Sequence, residues 1–218
     1  MSEQVMLDVR NLKVIFPSAA GVVRAVEGVD LTVHQGECVA LVGESGCGKS
    51  VTSQAIMRLL ESPPALVRSD KLELNGKELS TLSSAQLQEV RGKDVSLIFQ
   101  DALTALNPVM TVGRQLDEVF LRHGCKSRRE AKANSIAVLR LVGVPSPEAR
   151  YAAFPHQLSG GMRQRVLIAM AFACDPKLII ADEPTTALDV TIQAQVLDVL
   201  KRMQREHNTS LILITHDL

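Results

Sequence analysis

The feature that most constrains the fold is a set of short, unbroken apolar runs separated by stretches of mixed composition. These runs cover residues 38–42, 95–99, 178–181 and 211–214. A strand with one face in water alternates apolar and polar residues, whereas these runs do not, so both faces of each strand are expected to be covered. The pattern is typical of a parallel sheet flanked by helices, and it predicts an α/β chain.

The segments around these runs indicate where helices and a second sheet lie. Helical spacing of apolar residues predicts helices over 49–60, 127–142 and 190–206. In the first third of the chain, apolar residues recur instead at every second position, as in Leu7 and Val9, and Asn75-Gly76 favours a hairpin turn. We therefore expect an antiparallel β segment first and a helical insertion over 101–157.

Charge and hydropathy argue against three classes of protein: nucleic-acid-binding proteins, membrane-spanning proteins and proteins with a signal peptide. Lys and Arg total 24 and Asp and Glu total 24, so the chain lacks an overall basic footprint for nucleic acid. A local basic patch stays open, but no nucleic-acid partner is expected. The longest apolar run, 166–174, is well short of the ~20 residues that span a bilayer. The start of the chain mixes charged and apolar residues, unlike a signal peptide.

A glycine-rich segment follows the first apolar run and precedes a predicted helix. It reads Gly-Glu-Ser-Gly-Cys-Gly-Lys-Ser over residues 43–50, which matches the GxxxxGK[ST] pattern of a phosphate-binding loop. The glycines let backbone N–H groups surround a phosphate, and the helix N-terminus adds partial positive charge. Lys49 is expected to reach the β- and γ-phosphates of a nucleotide, and Ser50 to bind Mg²⁺.

Two adjacent carboxylates follow the third apolar run. Beside the phosphate loop, Asp182 would hold Mg²⁺ through a water, and Glu183 would accept a proton from the water that attacks the γ-phosphate. The alternative is an ordinary solvated acidic turn that ends a strand. The phosphate loop favours the first interpretation, but it does not by itself separate a kinase, a GTPase, a motor and a transporter ATPase.

Further motifs resemble those of ATP-binding cassette (ABC) ATPases, in the family order and over the whole chain. Residues 158–162, Leu-Ser-Gly-Gly-Met, resemble the LSGGQ signature. Gln100 resembles the Q-loop glutamine, 187–189 the D-loop and His216 the switch histidine. Phe16 occupies the position where the family usually stacks an aromatic ring on adenine. The sequence departs from the family motifs at two positions, with Met162 in place of Gln and Phe16 in place of Tyr. Both residues preserve the contacts that the motifs need.

The resemblance implies a fold, ligands and a site. The fold is a P-loop NTPase with a RecA-like core and an antiparallel β subdomain over 1–100 and 158–218, and an inserted α-helical subdomain over 101–157. ATP and Mg²⁺ are the implied cofactors. The implied catalytic residues are Lys49, Gln100, Glu183 and His216. The implied metal ligands are Ser50, Gln100 and Asp182. The implied nucleotide contacts are Phe16, Gly43, Glu44, Ser45, Gly46, Cys47, Gly48, Lys49, Ser50, Val51, Ser159, Gly160, Gly161 and Asp189. In the family, the 159–161 loop closes on ATP held by a second subunit.

Longer stretches are similar to the ATPases of bacterial dipeptide, oligopeptide and nickel importers. These stretches are 99–108, 154–165 and 181–195, and Met162 is the usual residue of that subfamily. The similarity implies a peripheral subunit on the cytoplasmic face of the bacterial inner membrane. Its partners would be a second ABC ATPase subunit, two transmembrane permeases and an extracytoplasmic substrate-binding protein. The helical insertion and the Gln100 loop would receive a helix of a permease.

Other functions stay open at this point. A soluble, non-transport ABC ATPase is expected to have two cassettes in one chain, a long coiled coil or strong basic patches, whereas this chain has one cassette and a net charge of zero. A P-loop kinase or GTPase is disfavoured by Glu183 beside Asp182 and by the Ser-Gly-Gly segment. A nucleotide-binding module with impaired turnover is the third alternative, since the chain stops soon after His216.

That position of the chain end predicts that the C-terminal part of the fold is missing. Related cassettes continue past the switch histidine with further strands and helices. A strand over 211–214 would then lie at an unpaired edge of the sheet, with apolar area uncovered.

Overall fold

The computed structural model describes residues 4–18, 21–186 and 188–216, and all structural statements below concern these residues. The strands are β1 (Val5–Ser18), β2 (Gly21–His34), β3 (Cys38–Val42), β4 (Leu66–Arg68), β5 (Lys71–Leu74), β6 (Lys77–Glu78), β7 (Val95–Ile98), β8 (Leu178–Asp182) and β9 (Ser210–Thr215). The helices are α1 (Lys49–Ile56), α2 (Ser84–Val90), α3 (Ala102–Ala105), α4 (Val112–His123), α5 (Arg128–Leu141), α6 (Pro147–Ala152), α7 (Gly160–Phe172) and α8 (Val190–His207), with 3₁₀ turns at Leu79–Thr81 and Pro155–Gln157.

The first sheet is antiparallel, as the alternating pattern predicts. Its order is β2-β1-β5-β6, and β4 also pairs with β1. Leu7 and Val9 are fully buried, in keeping with an inward-facing position at every second residue. Asn75 and Gly76 connect β5 to β6 with φ of 46° and 78°, the left-handed backbone that a tight hairpin turn requires.

The second sheet is parallel and contains the apolar runs, in the order β3-β9-β8-β7. All of β8 is buried, and its residues alternate between the two halves of the core. Ile179 and Ala181 join the cluster that includes the helical insertion, whereas Leu178 and Ile180 join the cluster beneath the antiparallel sheet. Helices and the first sheet therefore cover the two faces of β8, as predicted for a solid apolar run.

Two expectations about sheet edges are wrong. Strand β9 is not at an unpaired edge, since it hydrogen-bonds to β3 on one side and to β8 on the other. In the described part of the chain, β3 is an edge strand instead, and it is not covered on both faces: Cys38 is exposed and Val42 is 45% exposed. Apolar composition alone does not distinguish an edge strand from a central one.

The helices agree with the spacing of apolar residues, with one exception. Helix α5 begins after its N-cap Ser127, and α8 extends one residue beyond the predicted end at 206. Helix α1 ends at Ile56 and not at residue 60, because Arg58 adopts a left-handed φ of 51° that terminates the helix. No described helix has the length and apolarity needed to cross a membrane.

The region predicted as a helical insertion contains α3, α4, α5, α6 and the 3₁₀ turn at Pro155–Gln157. Its apolar residues share one buried cluster with α7, α8 and part of the parallel sheet. The insertion thus packs onto the core through a continuous apolar contact. The division into subdomains at 101–157 stays a prediction.

Candidate functional site

The phosphate loop connects β3 to α1 and depends on one glycine for its path. Gly48 is the N-cap of α1 with φ of 93°, a conformation that favours glycine. A Cβ at this position would lie 2.2 Å from the carbonyl oxygen of Ala25 in β2. The antiparallel sheet therefore presses directly against the loop, and only glycine fits between the two backbones.

Lys49 is folded back on the loop. Its side chain is nearly buried, and Nζ donates to the carbonyl oxygens of Gly43 at 2.7 Å and Glu44 at 2.9 Å. The ammonium is thereby held within the loop, next to the backbone that the motif assigns to phosphates. Ser45, Gly46 and Cys47 of the same loop are exposed, and Val51 packs on the core from α1.

Ser50 and Asp182 meet where α1 begins and β8 ends. The Ser50 hydroxyl donates to Oδ1 of Asp182 at 3.0 Å. Burial raises the pKa of Asp182 above its usual 3.8, and the negative charge of Glu183 adds to this; the Ser50 hydrogen bond and Lys49 oppose it. A hydroxyl and a carboxylate oxygen are ligands that suit Mg²⁺.

Among the described residues, no group of three His, Cys, Asp or Glu side chains is placed to hold a metal ion by itself.

Glu183 is the centre of a second group of polar side chains. Its Oε2 accepts from Nε2 of Gln100 at 2.8 Å, and Nδ1 of His216 lies 3.6 Å away. The Glu183 side chain is only 13% exposed. The structure therefore brings together three of the four residues that the resemblance implies are catalytic, although they come from the ends of three different strands, while Lys49 lies apart on the phosphate loop.

The backbone of Glu183 explains how its side chain reaches this position. Its φ of 44° is left-handed, which is uncommon for a residue other than glycine. Its N–H donates to the carbonyl oxygen of Ile214 at 3.0 Å, so β9 fixes the turn. Strained backbone of this kind is concentrated at functional sites.

Sequence reasoning missed Thr186. Its hydroxyl donates to Oε2 of Glu183 at 3.0 Å, and its N–H donates to the Glu183 carbonyl oxygen at 3.1 Å. The sequence contains only a weak signal for this contact, a hydroxyl residue three positions after the carboxylate in a turn.

The predicted signature and D-loop residues form a separate group at the N-termini of α7 and α8. Ser159 caps α7 and accepts from the N–H of Met162, and Asp189 caps α8 and accepts from the N–H of Ile192. Gly161 allows the two helices to approach, since a Cβ there would lie 2.7 Å from Cγ2 of Ile192. Gly160 faces Leu188. Ala187 of the D-loop lies outside the described residues.

Phe16 lies near the end of β1, opposite Val23 of β2. It is partly buried and packs against the core beneath the antiparallel sheet. The β2 residue that contacts Gly48, Ala25, follows Val23 closely, so the hairpin that contains Phe16 also borders the phosphate loop. This position is compatible both with core packing and with contact to an adenine.

Comparison with known proteins identifies the family. The family model described as "ABC transporter" matches residues 26–186. The chain is 53% identical over 213 residues to the oligopeptide transport ATP-binding protein OppD of Bacillus subtilis, covering 98% of this chain and 60% of that protein. It is 51% identical over 215 residues to the dipeptide transport ATP-binding protein DppD of Escherichia coli, covering 98% of this chain and 65% of that protein. The chain thus spans less than two thirds of the length of these relatives.

A solved structure gives the same result for the fold. The dimeric, post-hydrolysis ATP-binding cassette MJ0796, bound to ADP and Pi, superposes with a TM-score of 0.83 at 26% identity, over 97% of this chain and 88% of that one. The predicted ABC ATPase fold and the resemblance to peptide-importer ATPases are both confirmed. Because the family model covers more than half of the residues, the chain belongs to the ABC transporter family.

Proposed function

We propose that the chain is the ATP-hydrolysing part of a bacterial importer for dipeptides, oligopeptides or a related cargo such as nickel. One observation carries the proposal: Glu183 is bonded to Gln100, with His216 beside it, directly after Asp182, which is paired with Ser50. This arrangement supplies a proton acceptor next to a magnesium-type site and a phosphate loop. The OppD and DppD relatives support the choice of cargo class.

In this proposal, residues 43–51 bind the phosphates of ATP. Lys49 exchanges its bonds to the Gly43 and Glu44 carbonyl oxygens for bonds to the β- and γ-phosphates, so the ammonium changes partners without entering water. The loop N–H groups and the N-terminus of α1 stabilise the added negative charge. Phe16 stacks on the adenine ring.

Ser50, Asp182 and Gln100 would hold Mg²⁺, which neutralises phosphate charge when it is bound. The raised pKa of Asp182 fits this role, because a buried carboxylate without a cation is costly and a cation removes that cost. Glu183 accepts the proton of the attacking water. The hydrogen bond from Gln100 orients the carboxylate, and His216, whose Nδ1 lies 3.6 Å from it, is exposed enough to contact the γ-phosphate.

A second cassette would complete each site. Ser159, Gly160, Gly161 and Asp189 lie at adjacent helix N-termini, where N–H groups and the helix dipole favour an anion. We propose that these residues bind ATP held by the second subunit, so that ATP closes the dimer and hydrolysis opens it. The MJ0796 cassette, a dimer bound to ADP and Pi, supports this arrangement.

The permease partner would bind a groove between the helical insertion and the core. The groove has a volume of about 720 Å³, and its apolar lining includes Leu59, Leu97, Phe99, Met110, Val119 and Met170. Phe99 is 47% exposed in it, next to Gln100. A helix with an apolar face fits such a groove. The subunit would thus lie peripherally on the cytoplasmic face of the inner membrane, with two permeases, an extracytoplasmic binding protein and no nucleic-acid partner.

Uptake in the source bacterium tests the proposal. We expect deletion of the gene to abolish uptake of labelled dipeptides or oligopeptides, or of ⁶³Ni²⁺ if nickel is the cargo. The wild-type gene should restore uptake, and Lys49→Ala, expressed at the same level, should not. Uptake of all three substrates at the wild-type rate in the deletion strain would refute the importer function. A purified full-length protein without Mg²⁺-dependent ATPase activity would refute the enzymatic part.

A further inference from the structure

Helix α4 holds the chain segment that follows the Gln100 loop. The side-chain amide of Gln115, only 6% exposed, accepts from the N–H of Asn107 at 2.9 Å and donates to the carbonyl oxygens of Asn107 and Met110, each at 3.1 Å. Three hydrogen bonds from one buried side chain fix the loop between α3 and α4. Any displacement of α4 therefore displaces this loop as well.

The same helix holds α6 through Asp117. The two carboxylate oxygens of Asp117 accept from the hydroxyls of Tyr151 in α6, at 2.5 Å, and of Ser135 in α5, at 2.7 Å. The Tyr151 ring lies so close to α4 that a Cβ at Gly113 would be 2.4 Å from it, and Nζ of Lys132 is 5.3 Å from the ring centroid. The ring is thus fixed in orientation, with its hydroxyl aimed at the carboxylate.

The Tyr151 hydroxyl remains protonated, and so remains a hydrogen-bond donor, throughout the physiological pH range. Burial, followed by the hydrogen bond and the charge of Asp117, raises the pKa of Tyr151 to about 12. A hydrogen bond from a neutral hydroxyl to a carboxylate is stronger than one between neutral groups.

The chain segment between Tyr151 and the signature residues is held by hydrogen bonds from α4 and α7. The N–H of Val112 in α4 donates to the carbonyl oxygen of Ala153 at 2.9 Å, just after α6. Nε of Arg163 in α7 then donates to the carbonyl oxygen of Pro155 at 2.7 Å, and Ser159 caps α7. Helix α4 therefore holds both the segment that follows Gln100 and the segment that precedes Ser159.

We infer that Tyr151 is a positioning residue: its hydrogen bond to Asp117 fixes Ser159 relative to α4. A partner that shifts α4 in the neighbouring groove thereby shifts Ser159, and with it the contact to ATP in a second subunit. The inference deepens the proposed function and depends on it for the role of Ser159. The alternative is that Tyr151 only fills space in the helical insertion.

Two variants of the full-length protein separate these possibilities. Tyr151→Phe keeps the ring and removes only the hydroxyl. Ser135→Ala is the matched control, since it removes the other hydrogen bond of the same carboxylate without touching α6. Hydrogen exchange reports on the amides of Leu158, Met162 and Arg163, whose hydrogen bonds hold the signature segment, with the Gln193 amide in α8 as the internal reference.

We expect Tyr151→Phe to speed exchange of the three amides about tenfold relative to Gln193, and Ser135→Ala to leave it within about twofold. If the exchange rate of the three amides is unchanged in Tyr151→Phe, or rises equally in both variants, the inference is overturned. Should Tyr151→Phe not fold, Asp117→Asn replaces the charged acceptor of the Tyr151 hydroxyl with a neutral, weaker one, and exchange of the three amides should then be faster in Asp117→Asn than in Ser135→Ala.

The kinetics provide a second readout. We expect Tyr151→Phe to lower kcat for ATP about tenfold while the Kd of ATP stays unchanged, because the phosphate loop is untouched. A variant with lower kcat and equally weakened ATP binding would indicate general damage and contradict the inference. A wild-type protein that does not hydrolyse ATP refutes the proposed function, whereas the exchange measurement still decides the role of Tyr151.

Discussion

The contact between the phosphate loop and the antiparallel sheet predicts a large difference between two glycines of one loop. Gly46 and Gly48 both have left-handed φ, of 81° and 93°, so alanine at either position costs about 1–2 kcal/mol of backbone strain. A Cβ at Gly46 meets nothing within 4 Å, whereas one at Gly48 would lie 2.2 Å from the Ala25 carbonyl oxygen. Relieving that overlap moves β2 away from α1 and adds about 1–3 kcal/mol, as overpacking of a core does.

We therefore expect Gly46→Ala to lower the free energy of unfolding by about 1–2 kcal/mol and Gly48→Ala by about 2–5 kcal/mol. The difference between the variants corresponds to roughly 2–12 °C in Tm for a chain of this size. Calorimetry on the full-length protein without nucleotide measures it, because bound ligand would add its own stabilisation. If the Gly48→Ala variant melts at or above the Tm of the Gly46→Ala variant, the close approach of the Gly48 and Ala25 backbones is refuted.

Three further predictions concern individual side chains of the site. Phe16→Ala should weaken ATP binding by roughly tenfold and leave inorganic triphosphate binding unchanged in calorimetric titrations, because only ATP has a base to stack; equal losses for both ligands would favour core packing. Asp182→Asn should melt at a higher temperature than the wild type at pH 7 without Mg²⁺. The folded state raises the pKa of Asp182, so the ionised carboxylate opposes folding above that pKa. The difference in Tm between Asp182→Asn and the wild type should therefore shrink as the pH falls through the pKa of Asp182. A difference in Tm that grows in acid would contradict the raised pKa. Thr186→Val should lower kcat up to about tenfold at unchanged ATP affinity, since it removes one hydrogen bond to Glu183, and an unchanged kcat would exclude a role for Thr186.

The sequence predicts those parts of the fold that depend on local patterns. The apolar stripe of α8 and the Ser127 cap of α5 are visible in the chain, and both helices begin where predicted. The early end of α1 is not visible, because Arg91 contributes to it from a distant segment. Its side chain donates to the carbonyl oxygens of Met57 and Arg58 beyond the helix. Tertiary contacts of this kind override local helix propensity.

The same distinction applies to the site. The glycine pattern and the adjacent carboxylates are local, so the sequence indicates the phosphate loop and the Asp182-Glu183 pair directly. The bonds that orient Glu183 are different, since Gln100 comes from the end of another strand and the left-handed turn depends on a hydrogen bond to Ile214. The link between Asp117 and Tyr151 joins two helices of the insertion and has no short-range motif in the sequence.

The most direct test of the central claim is ATP hydrolysis by Glu183→Gln in the full-length protein. The amide keeps the size of the side chain and can still accept from Gln100 and Thr186, but it cannot take a proton from water. We expect kcat to fall by about 10²–10⁴ while the Kd of ATP stays unchanged, and we expect the ATP-bound dimer to persist in size-exclusion chromatography. Hydrolysis at the wild-type rate by Glu183→Gln would contradict the assignment of Glu183 as the proton acceptor.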